Sequence, residues 1–222
     1  MPLPEPEARA ALVHAMRRMH ASGLNRGTSG NASIRVDHGM VVTPSGIGPD
    51  ALTPEMMVFV SETGEPAAAG LRPSTEYRMH HHILRARPDA QAVMHCHSRH
   101  ATILACCNKP IEPIHYMVLV AGASRIAIAP FAPFGTEALA MHALAAMAGA
   151  HACLLAHHGQ VALGATWQQA LSIAEEIEEQ AAITYGALLL GGAPTLTATE
   201  LAETMAQFRG YGQAAAHTPT RL

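Results

Sequence analysis

The segment Ala92-Val93-Met94-His95-Cys96-His97 constrains this chain more than any other. Its small and apolar residues read as a short strand. A strand sets residues i and i+2 on one face, so His95 and His97 form half of a metal site. Two further pieces could complete it. Pro73-Ser74-Thr75-Glu76 lies upstream and offers a carboxylate, and Ala156-His157-His158-Gly159 lies downstream and offers a third imidazole from either histidine. The combination points to a metal-assisted enzyme, with zinc as the metal.

Composition narrows the classes. At 222 residues the chain suits one sizeable domain, since single cores extend to roughly 250 residues before chains divide. Lys and Arg total 14 against 17 Asp and Glu, a formal charge of −3, which leaves no broad basic surface for a nucleic-acid backbone. The start, Met1-Pro2-Leu3-Pro4-Glu5-Pro6-Glu7, is acidic where a secretory signal is basic and then apolar. No apolar run approaches the ~18 residues of a membrane span. These features predict a soluble, cytoplasmic protein with neither a nucleic-acid nor a membrane partner.

Cys96, Cys106, Cys107 and Cys153 form no C-x-x-C pair and stand in apolar stretches, as small buried hydrophobes do, so no disulfide is expected. Lys109 is the only lysine, in the turn-like Asn108-Lys109-Pro110. A Schiff-base lysine needs burial or a neighbouring cation to lower its pKa. Carbonyl chemistry in this chain would therefore use a metal rather than an imine.

Periodicity predicts alternating helices and strands. Helices are expected over 7–22, 74–87, 98–107, 136–149 and 168–190, with Ser74 or Thr75 capping the second and Gly191-Gly192 ending the last. Strands are expected over 34–36, 40–43, 57–60, 92–97, 114–120, 125–129 and 153–156, the first two as a hairpin. The residues from Gly210 onward are small and polar, the composition of a mobile tail.

Each candidate residue also has an ordinary role. Fifteen histidines are many, and His80, His81 and His82 cannot all face one ion from a helix, so packing or solvation is their expected role. Glu76, in the first turn of its helix, could serve the helix dipole, ligate a metal or act as a general base. Gly30-Asn31, Ser45-Gly46 and Ser74-Thr75 are three small-residue turns. Together they could wrap a phosphate with N–H groups and hydroxyls. The spacing in His95-Cys96-His97-Ser98-Arg99-His100 also matches the H-x-H-x-D-H motif of metallo-β-lactamase-like hydrolases. Arg99 stands where an aspartate must ligate, which argues against that reading and leaves His100 on a helix face.

In order along the chain, Gly23-Leu24-Asn25-Arg26-Gly27-Thr28-Ser29-Gly30-Asn31, Thr43-Pro44-Ser45-Gly46-Ile47, Pro73-Ser74-Thr75-Glu76, His95-Cys96-His97, Ile114-His115-Tyr116-Met117 and His157-His158-Gly159 resemble the class II aldolase/adducin family. The resemblance runs from about residue 10 to residue 212. It implies a single-domain, three-layer α/β/α fold with a central, mainly antiparallel sheet, and a homotetramer with active sites between neighbours.

The resemblance also implies roles. His95, His97 and His158 would bind Zn²⁺, with Co²⁺ or Mn²⁺ as substitutes, and Glu76 would be a fourth ligand that swings away as acid/base. Gly30, Asn31, Ser45, Gly46, Ser74 and Thr75 would hold a substrate phosphate. Tyr116 of the adjoining subunit would exchange a proton with the aldehyde oxygen, and Phe134 and Tyr211 would flank the aldehyde. The implied reaction cleaves a ketose 1-phosphate, L-fuculose 1-phosphate foremost, to dihydroxyacetone phosphate and a short aldehyde such as L-lactaldehyde, through an enediolate that the metal stabilises. Relatives acting on 5-deoxyribulose 1-phosphate or 5-methylthioribulose 1-phosphate, and pentulose-phosphate 4-epimerases, would use the same residues. Non-catalytic members lose the metal residues, whereas this chain keeps all four.

Two substitutions mark departures from the usual pattern. Thr75 stands where serine is usual, which keeps the hydroxyl, and Thr28-Ser29-Gly30 varies by one small residue.

Overall fold

The computed structural model describes residues 2–208. Its spine is a seven-stranded sheet formed by β1 (Asn31–Val36), β2 (Gly39–Val42), β3 (Val58–Ser61), β4 (Ala92–Cys96), β5 (Ile128–Ala129), β6 (Ala152–Leu155) and β7 (Gly159–Gly164). The strand order is β3-β2-β1-β4-β7-β6-β5. Every pairing is antiparallel except β5 with β6, so the sheet is mainly antiparallel as expected.

Helices cover both faces and make three layers. On one face α1 (Glu5–Ala21), α3 (Arg99–Cys106) and α5 (Trp167–Leu189) bury Leu12, Leu104 and Ile177 against Ile34, Met94 and Ala162. On the other, α2 (Tyr77–Ala86) and α4 (Glu137–Ala146) bury Met79, Ile83 and Leu139 against Val93, Val161 and Leu163. The alternation of Val93 and Met94 between the two cores follows the period of two along a strand. Because both faces are covered, β4 is buried throughout, which explains its unbroken apolar run. A last helix, α6 (Ala198–Phe208), adds Leu201 to the first core. Among the described residues no helix is long and apolar enough to cross a membrane.

Four expectations need correction. Residues 114–120 do not form a strand; Tyr116–Ala121 is a 3₁₀ helix. The His115 side chain accepts from the Met117 N–H, Gly122 ends the segment at φ 73°, and Val118 and Leu119 are buried, so an apolar run that reads as a strand packs as a short helix. Strand β7 was not anticipated, because Gly159 and Gly164 at its ends and Gln160 within it are breaker and polar signals. Helix α2 starts at Tyr77 with Glu76 as its N-cap residue, so Glu76 precedes the first turn. No side chain caps that helix; the Ser74 hydroxyl instead accepts from the Glu76 N–H at 3.3 Å. Finally, Cys106 and Cys107 are exposed, while Cys96 and Cys153 are buried as expected; all four are free. Tyr211 and the tail from Gly210 lie outside the described residues.

Candidate active site

The end of β4 is where the site is assembled. Asn31 of β1 and Val161 of β7 flank His95 in register, so neighbouring strands hold the imidazole from both sides. The His95 Nδ1–H donates to the Gln160 carbonyl at 2.9 Å, which leaves Nε2 facing Glu76 and His97. His97, just past the strand, has its backbone N–H held by Asn25 Oδ1 at 3.2 Å.

The β6–β7 hairpin delivers the third imidazole. Its loop turns sharply enough to put His157 at φ 57°, in the left-handed region that non-glycine residues seldom occupy. Gly159 follows, and a Cβ there would lie 2.4 Å from the Cys96 carbonyl oxygen. Glycine lets the two strands close and brings His158 beside His97, with ring centroids 4.9 Å apart. Of the two histidines that spacing left open, His158, the one the resemblance implied, joins the cluster, whereas His157 packs edge-on to Phe131 at 6.1 Å.

From the opposite side, the start of α2 presents Glu76. Its Oε2 lies 3.0 Å from His95 Nε2 and its Oε1 lies 3.4 Å from His158 Nε2. One ligand atom from each of Glu76, His95, His97 and His158 lies within 4.8 Å of the other three, the arrangement that could hold one metal ion.

The electrostatics suit such an ion. Burial opposes the Glu76 charge, but the neighbouring His95, with His158 and the Asn31 amide, holds the carboxylate well below its ordinary range. Burial and the nearby His95 push His97 and His158 down to about 4, so both are neutral near pH 7 and keep lone pairs to donate. His95 itself is raised, because Glu76 outweighs its burial.

A cleft of about 560 Å³ opens above this cluster. Gly30, Asn31, Ser45, Gly46, Ser74 and Thr75, the three turns singled out in the sequence, all line it. Backbone bonds tie the turns together: Ser45 N–H to the Arg72 carbonyl at 3.0 Å, and Ser74 N–H to the Thr43 carbonyl at 2.9 Å. Gly30 adopts φ 74° over Asn25, where any side chain would collide. Asn31 departs from the expected arrangement. Its amide turns inward, with Nδ2 donating to Glu76 Oε2 at 3.1 Å and Oδ1 2.6 Å from His80.

Phe134 lines the same cleft, 67% exposed, beside Phe131 at 61%. Tyr116 does not: it is 44% exposed on another surface, against Phe208 of α6. Thr28 and Ser29, from the loop quoted in the sequence, and His157 also line the cleft; sequence reasoning missed Phe131. Nothing local in the sequence marks Phe131. It also missed His80, which is fully buried and hydrogen-bonded to both Asn31 and Ser33.

Comparisons with known proteins agree with this geometry. A family model described as the Class II Aldolase and Adducin N-terminal domain matches residues 10–185. The chain is 44% identical over 204 residues to the 5-methylthioribulose-1-phosphate/5-deoxyribulose-1-phosphate aldolase of Rhodospirillum rubrum, covering 92% of each chain. It is 39% identical over 202 residues to an L-fuculose phosphate aldolase of Escherichia coli O6:H1, covering 90% of this chain and 94% of the relative. Among solved structures, an L-fuculose 1-phosphate aldolase superposes with a TM-score of 0.87 at 32% identity, over 91% of this chain and 96% of that one.

Proposed function

Because the chain belongs to the class II aldolase/adducin family, we propose that it is a metal-dependent aldehyde-lyase. It would cleave a ketose 1-phosphate to dihydroxyacetone phosphate and a short aldehyde. The observation that carries this reading is the convergence of Glu76, His95, His97 and His158 at the base of a cleft walled by three small-residue turns.

The donor set fits a divalent cation. Glu76 Oε1 is buried without a hydrogen-bond partner, and the hydrogen bond at His95 Nδ1 leaves Nε2 turned into the cluster, 3.0 Å from both Glu76 Oε2 and His97 Nε2. Three imidazoles and a carboxylate suit Zn²⁺ best, with Co²⁺ or Mn²⁺ as substitutes. Such a cation, held by His95, His97 and His158 with Glu76 as a fourth donor at rest, supplies Lewis-acid stabilisation of the negative charge on the ketose fragment.

The chain's own groups manage protons and orientation. In the cleavage direction the proton on the C4 oxygen leaves, the C3–C4 bond breaks toward C3, and C3 takes up a proton. Tyr116 of an adjoining subunit serves the oxygen, and Glu76 serves the carbon. Gly30, Ser45, Gly46, Ser74 and Thr75 hold the phosphate, the amide of Asn31 being taken up by Glu76 and His80, while Phe134 and Tyr211 flank the aldehyde. A homotetramer with shared sites fits a Tyr116 that stands exposed and away from its own chain's cleft.

Two substrate readings fit this frame. L-Fuculose 1-phosphate is the first, supported by the relatives and the solved structure named for it. 5-Methylthioribulose 1-phosphate and 5-deoxyribulose 1-phosphate form the second, favoured by the 44% identical relative and by two exposed phenylalanine rings suited to an apolar sugar terminus. The deciding experiment measures dihydroxyacetone phosphate released by zinc-loaded protein from all three ketose phosphates. Chelator-sensitive release identifies the aldolase, and the ratio of kcat/KM values names its substrate. No release from any, with zinc bound, would move the reading to a pentulose-phosphate 4-epimerase.

A further inference from the structure

His80 takes no part in the chemistry proposed above, yet it stands one residue removed from the acid/base carboxylate. β1 presents Asn31 and Ser33, two positions apart, to the same side of the sheet, and His80 reaches both from α2, one turn beyond Glu76. Its Nε2 lies 2.6 Å from Asn31 Oδ1, and its Nδ1 lies 2.8 Å from Ser33 Oγ. Asn31 Nδ2 in turn donates to Glu76 Oε2 at 3.1 Å. Asn31, Ser33 and His80 are all buried, so water does not compete for these groups.

The chain of hydrogen bonds has one self-consistent assignment. A carboxylate only accepts, so the Asn31 amide must turn its NH₂ toward Glu76 and its carbonyl toward His80. His80 must then carry its proton on Nε2. That leaves Nδ1 as the acceptor for the Ser33 hydroxyl.

We propose that His80 is a positioning residue for Glu76: its Nε2–H holds the Asn31 amide in the one orientation that offers an N–H to Glu76 Oε2. The carboxylate is thereby aimed at His95 and His158, from which its two oxygens lie 3.0 and 3.4 Å. An apolar side chain at position 80 would leave Asn31 Oδ1 buried without a donor and its amide free to reverse, placing oxygen against oxygen at Glu76. This role rests on the metal-dependent reading given above.

The test has three arms. A long-range ¹H–¹⁵N spectrum of the metal-free protein reads the imidazole tautomer directly: neutral His80 protonated at Nε2 is expected, and protonation at Nδ1 overturns the assignment. Second, Zn²⁺ affinity is measured by competition with a chromogenic chelator, alongside kcat and KM on the best ketose 1-phosphate. His80→Leu should weaken zinc binding roughly 10- to 100-fold and lower kcat at nearly unchanged KM. His80→Gln, which keeps an N–H donor, should recover most of both, a rescue that a merely structural role does not predict. His80→Leu with wild-type zinc affinity and kcat would refute the proposal.

Third, Ser33→Ala removes only the hydroxyl that donates to His80 Nδ1 and serves if His80→Leu does not fold. A loss of about two- to tenfold in zinc affinity, the worth of one hydrogen bond, supports the role; an affinity indistinguishable from wild type overturns it. Zinc binding without cleavage of any ketose phosphate would sink the aldolase reading alone, leaving the tautomer and affinity arms to decide the part played by His80.

Discussion

In the proposed reaction Glu76 would meet two demands with one carboxylate, as a resting donor to a cation and as a proton carrier for carbon. Glu76→Gln keeps the size and the hydrogen bond from Asn31 but cannot carry the proton. Cleavage should fall by about 10²- to 10⁴-fold at nearly constant KM, measured as dihydroxyacetone phosphate release. A drop of less than tenfold would assign the proton transfer elsewhere. His80 shows a different residue-scale effect, in the stability of the metal-free protein. Burial and the nearby His95 push it down to about 3, so the unfolded chain binds a proton that the folded chain refuses between about pH 6.5 and 3. Stability is therefore full above the ordinary histidine value and declines as pH falls through this window, by at most about 1.4 kcal/mol per pH unit from this group. Urea melts at pH 7, 6 and 5 should show a shallower decline in His80→Gln, and equal slopes would contradict this account.

Elements bring these residues together through close backbone approach. The β6–β7 hairpin can deliver His158 because Gly159 has no Cβ to meet the Cys96 carbonyl oxygen, 2.4 Å away. Gly159→Ala should cost about 1–3 kcal/mol through overpacking and weaken zinc binding as well, because the strain falls on the strand end that carries His95 and on the loop that carries His158. Calorimetry and chelator competition measure the two effects. The turn from α2 into β4 tolerates change better. The Arg87 guanidinium, donating to Asp89 at 2.7 Å, holds that carboxyl down to about 2 against the opposing effect of burial. The lowered value adds stability above the ordinary aspartate range, and this is lost as pH falls toward 2. Asp89 is half exposed, so Asp89→Asn should change stability at pH 7 by less than about 1 kcal/mol.

At the scale of the whole molecule, Tyr116 stands away from the cleft of its own chain, on the 3₁₀ helix that packs against α6. If neighbouring subunits share sites, co-expressed Glu76→Gln and Tyr116→Phe chains, each impaired alone, should recover part of the wild-type rate in mixed oligomers. No recovery would mean that each chain works with its own residues. Local sequence determined much of this molecule. The buried strand running into two imidazoles two apart, the small-residue turns and the alternation of helices and strands are all short-range patterns, and the structure realises them with the second imidazole just past the strand's end. The lone lysine likewise pointed to metal rather than imine chemistry. Other features could come only from packing. The strand-like run at 114–120 became a 3₁₀ helix, and a glycine-bounded stretch became β7 because its neighbours lie too close for side chains. Hairpin geometry selected His158 over His157, a choice that spacing alone could not make. Tertiary structure alone decided that His80 would be the member of its triplet that meets Asn31 and Ser33, because whether a histidine meets solvent, a cation or an asparagine depends on which strand its helix covers.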